Sequence, residues 1–244
     1  LFPFEESSRY VVIDGEQRVW VSHPYHGVFR MKEKGAQGFS WISYGEKQGL
    51  PAQINNHIFK VREQLLVGTE KGVYRYDGDN LILFTSNDGL KNYRIISVQE
   101  DKVGNLYFDT PEGVYKFNGE EFSTLPILES KKSENKWNSE PGDLWFRVGW
   151  DRNGPYRFDG ENLIKLKFPK NKMEDEFYKK YPNVSFNPYA IYSIYKDSKG
   201  NIWFGTSNLG IYLFDGKEIS WMYENQHIET PEGGNFGVRS IGED

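Results

Sequence analysis

The sequence contains no cysteine, which excludes disulfides, thiol nucleophiles and cysteine-ligated zinc. It leaves the compartment open, because a cysteine-free chain suits oxidising and reducing surroundings alike. Histidine is scarce as well. His23, His26, His57 and His227 are the only four, and no spacing among them matches a zinc-ligand motif, so no metal is assigned unless separate loops converge. A Walker loop, a dinucleotide-binding glycine signature and a Gly-x-Ser-x-Gly elbow are all absent, so no cofactor is expected. No apolar run approaches the roughly 18 residues of a membrane-spanning helix. The formal charge is −5 with no basic stripe to replace phosphate counterions, which sets nucleic acid aside. The acidic pairs Glu5-Glu6, Asp175-Glu176 and Glu243-Asp244 read as solvated charge rather than as acid–base pairs. The chain begins at Leu1 without a signal-peptide pattern, as expected of a chain whose targeting signal was removed or of an excised segment.

What is abundant is aromatic side chain and turn residue. Aromatics make up 16% of the 244 residues, with 25 Gly and 11 Pro, against 37% apolar and 27% charged residues. This is the composition of a folded, turn-rich chain, and aromatic residues fit the half-buried face of a strand.

A fixed internal period dictates the architecture. Ile202-Trp203-Phe204-Gly205-Thr206 followed by Gly210-Ile211-Tyr212-Leu213-Phe214-Asp215-Gly216 has four relatives. Leu66 to Thr69 precedes Gly72 to Gly78, Leu106 to Thr110 precedes Gly113 to Gly119, Leu144 to Arg147 precedes Gly154 to Gly160, and Val19 to Ser22 precedes Gly27 to Arg30. The glycines that open the second segments stand at 27, 72, 113, 154 and 210, separated by 45, 41, 41 and 56 residues. Four-stranded propeller blades occupy about 40–50 residues, and an insertion accounts for the last interval. Asp197 to Asn201 and Asp215-Gly216 are hairpin turns. Four short antiparallel strands cannot bury both faces alone, whereas stacked copies can.

The sequence therefore predicts an all-β chain, a single β-propeller domain of four-stranded antiparallel blades over residues 1–244. Five complete blades fall at about 8–45, 52–86, 92–126, 137–168 and 188–224. Residues 236–244 match Tyr93 to Asp101 and Tyr189 to Asp197 and are expected to be the first strand of a sixth. A fragment of a longer propeller is the simplest account, and a closed five-blade ring with a duplicated strand is the second. Trp20, Trp145 and Trp203 are expected in the core.

At these residues the sequence resembles the two-component regulator propeller repeats. Glu100-Asp101, Gly104-Asn105, Gly200 to Thr206 and Tyr74-Arg75-Tyr76-Asp77-Gly78 carry the resemblance, and Gln48-Gly49-Leu50-Pro51 and Asp88-Gly89-Leu90 resemble its inter-blade linker. The resemblance implies a non-catalytic sensor or recognition module of a bacterial regulator. It further implies a periplasmic or extracellular location and a small-molecule ligand, an oligosaccharide among the candidates. The chain departs from the pattern where Asp109 and Arg147 replace the glycine, and in its inserts.

Loops held by a rigid scaffold concentrate binding residues. In a blade these are the loop between strands two and three and the linker to the next blade. Tyr25 and His26 in one such loop, and Trp150, Asp151 and Arg152 in another, are the ligand-binding candidates: aromatic faces suit sugar rings and Arg suits carboxylates. The competing reading makes them ordinary polar loop residues. Asp109 and Arg147, at equivalent positions of adjacent repeats, are expected to form a structural ion pair, since either charge buried alone is costly. Lys131 to Trp137 reads as a polar insert. Met173 to Tyr181 reads as a short helix with Phe177 and Tyr181 on one face, either capping the propeller or packed on the nearest blade. Two other functions stay open: a metal-dependent lyase or hydrolase using His26 or His227, and a protein-binding scaffold whose exposed strand edges also allow a homodimer.

Overall fold

The computed structural model describes residues 10–23, 26–32, 40–50, 57–84, 89–90, 94–128, 136–148, 155–222 and 237–243. Its architecture is the expected all-β propeller of four-stranded blades. The first sheet holds β1 (Tyr10–Ile13), β2 (Val19–His23), β3 (Gly27–Met31) and β4 (Trp41–Tyr44). The second holds β5 (His57–Val61), β6 (Gln64–Thr69), β7 (Gly72–Tyr76) and β8 (Leu81–Leu83). The third holds β9 (Ser97–Glu100), β10 (Leu106–Thr110), β11 (Gly113–Phe117) and β12 (Phe122–Thr124). The fourth holds β13 (Ile127–Leu128), β14 (Leu144–Phe146), β15 (Tyr156–Phe158) and β16 (Leu163–Lys165). The fifth holds β17 (Ile191–Lys196), β18 (Ile202–Thr206), β19 (Ile211–Phe214) and β20 (Ile219–Met222). A single α-helix among the described residues, α1 (Lys172–Lys180), lies between β16 and β17.

The chain forms two compact units, residues 1–111 with 115–124, and residues 112–114 with 125–244. In the first unit, the face of β2 that carries Trp20 packs on Ile58, Leu65 and Val67 of the second sheet. The opposite face of the second sheet, through Leu66 and Val73, packs on Leu106, Phe108 and Tyr115 of the third. Leu50 and Leu90, from the two linker motifs, plug these two cores. In the second unit Trp145 packs on Ile191, Ile202, Phe204, Tyr212 and Phe214 of the fifth sheet. Within each unit, neighbouring sheets thus bury a face against one another, which is how a repeat too thin to hold its own core becomes stable.

Trp203 corrects the expected core. It occupies the repeat position of Trp20 and Trp145 but is half-buried where they are 0% and 3% exposed. The reason is the neighbour. Among the described residues, the segment following the fifth sheet is 237–243, which carries no ladder strand.

That segment nevertheless sits as a first strand would. Val238 donates its N–H to Thr206 O at 2.9 Å, and Ser193 Oγ donates to Val238 O at 3.1 Å. A Cβ built on Gly205 would lie 2.5 Å from Val238 O, and one on Gly68 would lie 3.3 Å from Ile95 Cβ. Val238 and Ile95 are equivalent repeat positions, so this glycine is where the next repeat crosses closest. Glu243 and Glu100 are also equivalent. Glu243 accepts from Ser198 N and Oγ at 2.8 and 2.6 Å, and Glu100 pairs with Arg62 at 3.0 Å, in both cases across to the preceding sheet's first turn.

The fourth sheet is ordered β13-β16-β15-β14, with β13 parallel to β16 through Ile127↔Leu163. Its fourth strand therefore comes from residues 127–128, ahead of the expected start at 137. Residues 136–143 form no ladder. They are held by side chains: Arg157 Nε donates to Asp143 Oδ2 at 2.5 Å and Nη1 to Asn138 Oδ1 at 2.6 Å, while the Trp137 ring stacks 6.0 Å from that of Trp145.

Candidate functional site

In a meander, the turns between strands one and two and between three and four lie at one end of the blade, and the other connections lie at the opposite end. The first end is stereotyped. Asp14 Oδ1 accepts from Glu16 N and Arg18 N at 3.0 and 2.9 Å, and Oδ2 from Arg18 Nε and Trp20 Nε1 at 2.7 Å each. Asp101 repeats this with Val103 N, Asn105 N, Asn105 Nδ2 and Tyr107 OH, and Asp197 with Lys199 N, Asn201 N, Asn201 Nδ2 and Trp203 Nε1. Burial opposes ionisation of Asp14 and Asp101, but the donated hydrogen bonds outweigh it and hold both carboxyls below their usual range. The Trp203 N–H does most to lower that of Asp197. The second turns use a smaller version: Asp77, Asn118, Asp159 and Asp215 each accept through Oδ1 from the backbone N–H groups two and three residues on, at 2.7–3.0 Å. These Asx turns shape the hairpins. The carboxylates most regular in the sequence are therefore turn formers.

The opposite end varies. In the second and fifth blades a threonine closes the loop: Thr69 Oγ1 donates to Gly72 O at 3.0 Å and Thr206 Oγ1 to Gly210 O at 2.9 Å. In the first blade His23 takes that place, buried, with the exposed His26 ring 4.6 Å away at a 38° tilt. Tyr25 lies outside the described residues, as do Trp150, Asp151 and Arg152. In the fourth blade Val148 takes the threonine position. It is 4% exposed and has φ +39°, a left-handed backbone that a β-branched residue adopts only under external constraint. It stands immediately before the Trp150-Asp151-Arg152 loop.

Asp109 and Arg147 occupy the crossing-glycine position of their blades and fall in different units. Asp109 is fully buried, accepts from Ser97 Oγ at 3.5 Å, and its carbonyl accepts from Ile96 N at 2.7 Å. Arg147 donates to Tyr192 O at 2.6 Å. Where glycine lets the next strand's backbone approach, the arginine reaches out and holds that backbone by its carbonyl.

The insert packs on the nearest blade. Asn171 caps α1 by accepting from Met173 N at 2.9 Å and donates Nδ2 to Tyr212 OH at 2.6 Å. Tyr189 OH donates to Glu174 at 2.7 Å, and Ser207 Oγ donates to Pro188 O at 2.9 Å. Burial pushes the Tyr212 phenol up to about 12. Phe177 and Tyr181 share one face, with ring centroids 5.2 Å apart. The loop end of the fifth blade is therefore occupied by the chain itself. Among the described residues no three His, Asp or Glu side chains gather as a metal-holding group, and no helix is long and apolar enough to cross a membrane.

Repeated four-stranded blades, three of them with Asp-centred first turns, define a β-propeller built from copies of one unit. Residues 185–208 match the family model described as two component regulator propeller, the family that the repeat resembles. Among solved structures, the chain is similar to an extracellular domain assigned to a hybrid two component system of B. thetaiotaomicron, at 17% identity and TM-score 0.67 over 98% of this chain and 31% of that one. It is similar to one assigned to a one component system of the same organism, at 20% identity and TM-score 0.59 over 93% and 32%. Virginiamycin B lyase from Staphylococcus aureus, solved with quinupristin, matches at 12% identity and TM-score 0.56 over 90% and 71%. The chain spans about a third of the length of the two Bacteroides domains. No curated protein matches it.

Proposed function

We propose that this propeller is a non-catalytic recognition module in the periplasmic or extracellular part of a bacterial signalling protein, and that it binds a carbohydrate or similar small ligand at the variable ends of its blades. Tyr25 and His26 of the first blade and Trp150, Asp151 and Arg152 of the fourth are the binding residues in this reading. The observation that carries it is the left-handed backbone at Val148. Strain of this kind persists where the surroundings over-determine it, and it concentrates at ligand-holding segments. Here it launches the loop that bears an indole, a carboxylate and a guanidinium together. The regularity of the opposite blade end supports the same choice, because its recurring aspartate and asparagine side chains are already engaged in turns.

The test is calorimetric titration with neutral and acidic oligosaccharides, repeated with Trp150→Ala and Arg152→Ala. Saturable binding that either substitution weakens by roughly tenfold or more supports the reading. Binding unchanged in both variants, or no binding across the panel, overturns it.

A further inference from the structure

Arg30, on β3, stands near the stereotyped end of the first blade, away from the loops assigned above. Its guanidinium carbon lies 5.7 Å from the ring centroid of Trp20, 5.8 Å from Tyr44 and 5.9 Å from Tyr76. Nη1 donates to Tyr76 OH at 3.0 Å, and that oxygen is shared with Tyr44 OH at 3.2 Å and with Gly78 O. Trp20 and Tyr44 are buried, while Arg30 and Tyr76 are half-buried. Among the described residues no carboxylate pairs with Arg30. The adjacent cation does not share this condition: Arg18, 5.6 Å from the Tyr76 centroid, is neutralised by Asp14 at 2.7 Å and Glu16 at 2.6 Å. A guanidinium presents five donors in a rigid fork, and the aromatic frame orients this one while leaving most of the fork unused.

The repeat supplies the comparison. Arg30, Arg75, Lys116 and Arg157 hold the same position of their blades. Arg75 and Lys116 lie over single rings, Phe84 and Tyr107, at 5.9 Å each. Arg157 is buried and takes a carboxylate, that of Asp143 at 2.5 Å, with side-chain exposures of 8% and 4%. Asp143 is the residue immediately before the second strand of its blade, and in the first blade that place belongs to Arg18. The carboxylate that completes the site in blade four is replaced in blade one by another cation.

We propose that Arg30 is an anion-binding site whose ligand presents a carboxylate in the place that Asp143 fills in the fourth blade. A carboxylate matches the fork two-point, and pairing offsets the unfavourable burial of a lone charge. Tyr44 and Tyr76 wall the site. The carboxylate belongs to a sugar acid or to an aliphatic polycarboxylate. This site is separate from the loop-end residues of the proposed function and stands or falls without them.

The intact chain is titrated calorimetrically with galacturonate, citrate, galactose and sulfate, then as Arg30→Met, Arg30→Lys and Arg75→Met. Saturable binding of a carboxylate probe, weakened roughly tenfold or more in Arg30→Met, partly retained in Arg30→Lys and unchanged in Arg75→Met, is expected. Galacturonate alone binding identifies a sugar acid; citrate binding comparably or better identifies a polycarboxylate. Should Arg30→Met fail to fold, the contrast between Arg30→Lys and Arg75→Met decides. The assignment is overturned if neither carboxylate saturates, if the Arg30 variants bind as the unaltered chain does, or if sulfate or galactose binds as tightly. Trp150→Ala and Arg152→Ala leave binding at Arg30 intact, so failure here and failure at the loop ends are told apart.

Discussion

The indole N–H of Trp20 donates to the carboxylate of Asp14, six residues earlier, at 2.7 Å. The pair Trp203–Asp197 at 2.9 Å and the pair Tyr107–Asp101 at 3.0 Å repeat the relationship. One carboxylate thus closes a turn and satisfies the polar edge of an aromatic side chain on the blade's second strand. The sequence pattern of an aspartate followed six residues later by an aromatic donor encodes both functions at once.

Asp14→Ala removes the acceptor of four hydrogen bonds at a buried site. With buried donors left unpaired, it is expected to destabilise the chain by about 3 kcal/mol or more. Urea unfolding followed by near-ultraviolet circular dichroism reads this as a lower midpoint at similar slope. A loss below about 1 kcal/mol would show that water replaces the carboxylate and that the turn shapes itself.

The same carboxylates set an acid limit. Donated hydrogen bonds hold Asp14, Asp101 and Asp197 below the usual aspartate range in the folded chain. A group lowered on folding stabilises fully above its unfolded pKa, and that contribution is lost as pH falls through the folded value. The thermal midpoint should therefore fall below about pH 4, and Asp101→Asn should flatten part of the decline. A variant with the unaltered acid profile would remove Asp101 from this account.

The two tryptophans at equivalent positions should differ. Trp20→Ala empties a fully buried site and is expected to cost about 3–5 kcal/mol. Trp203→Ala, at a half-buried ring, should cost at least about 1 kcal/mol less. Equal losses in denaturant unfolding would mean that burial does not distinguish these two sites.

Gly205→Ala places a methyl group 2.5 Å from Val238 O, a backbone atom, so the segment 237–243 must shift. Overpacking of this kind costs about 1–3 kcal/mol. Hydrogen exchange of the Val238 amide, bonded to Thr206 O at 2.9 Å, should accelerate while the amides of β6 keep their rates. Unchanged exchange at Val238 would show that the segment is not seated by this glycine.

Asn171→Ala removes both the N-cap of α1 and the donor to Tyr212 OH. An N-cap loss costs about 0.5–2 kcal/mol, and the lost tyrosine contact adds to it. Faster proteolytic nicking within 170–186 is expected, with cleavage elsewhere unaffected. No change in nicking would mean that Phe177 alone holds the helix down.

The strands, the turns and the stacking of copies were legible in the sequence because each depends on local pattern. Alternating apolar residues choose the buried face, Asp-Gly and Gly-Asn choose the hairpins, and a constant period forces each face onto the next copy. Residues 136–143 broke that logic. Ser139 stands where three other blades carry the turn aspartate, so the ladder gives way to the Asp143–Arg157–Asn138 network, and residues 127–128 complete the sheet by parallel pairing. The burial of Trp203 is not legible in the motif because it depends on what lies across from it, and identical motifs carry no information about their neighbours.

By itself, then, the sequence determined the repeat, its period and the chemistry of its turns, since hydrogen bonds between residues two to six positions apart need no distant partner. Only the tertiary structure decided that Val148 is held in a left-handed conformation, that Arg147 grips the Tyr192 carbonyl, and that Arg30 lies among three rings. Each of these depends on side chains brought together from residues tens of positions apart, or on packing that overrides local preference, and that is settled by how the copies stack.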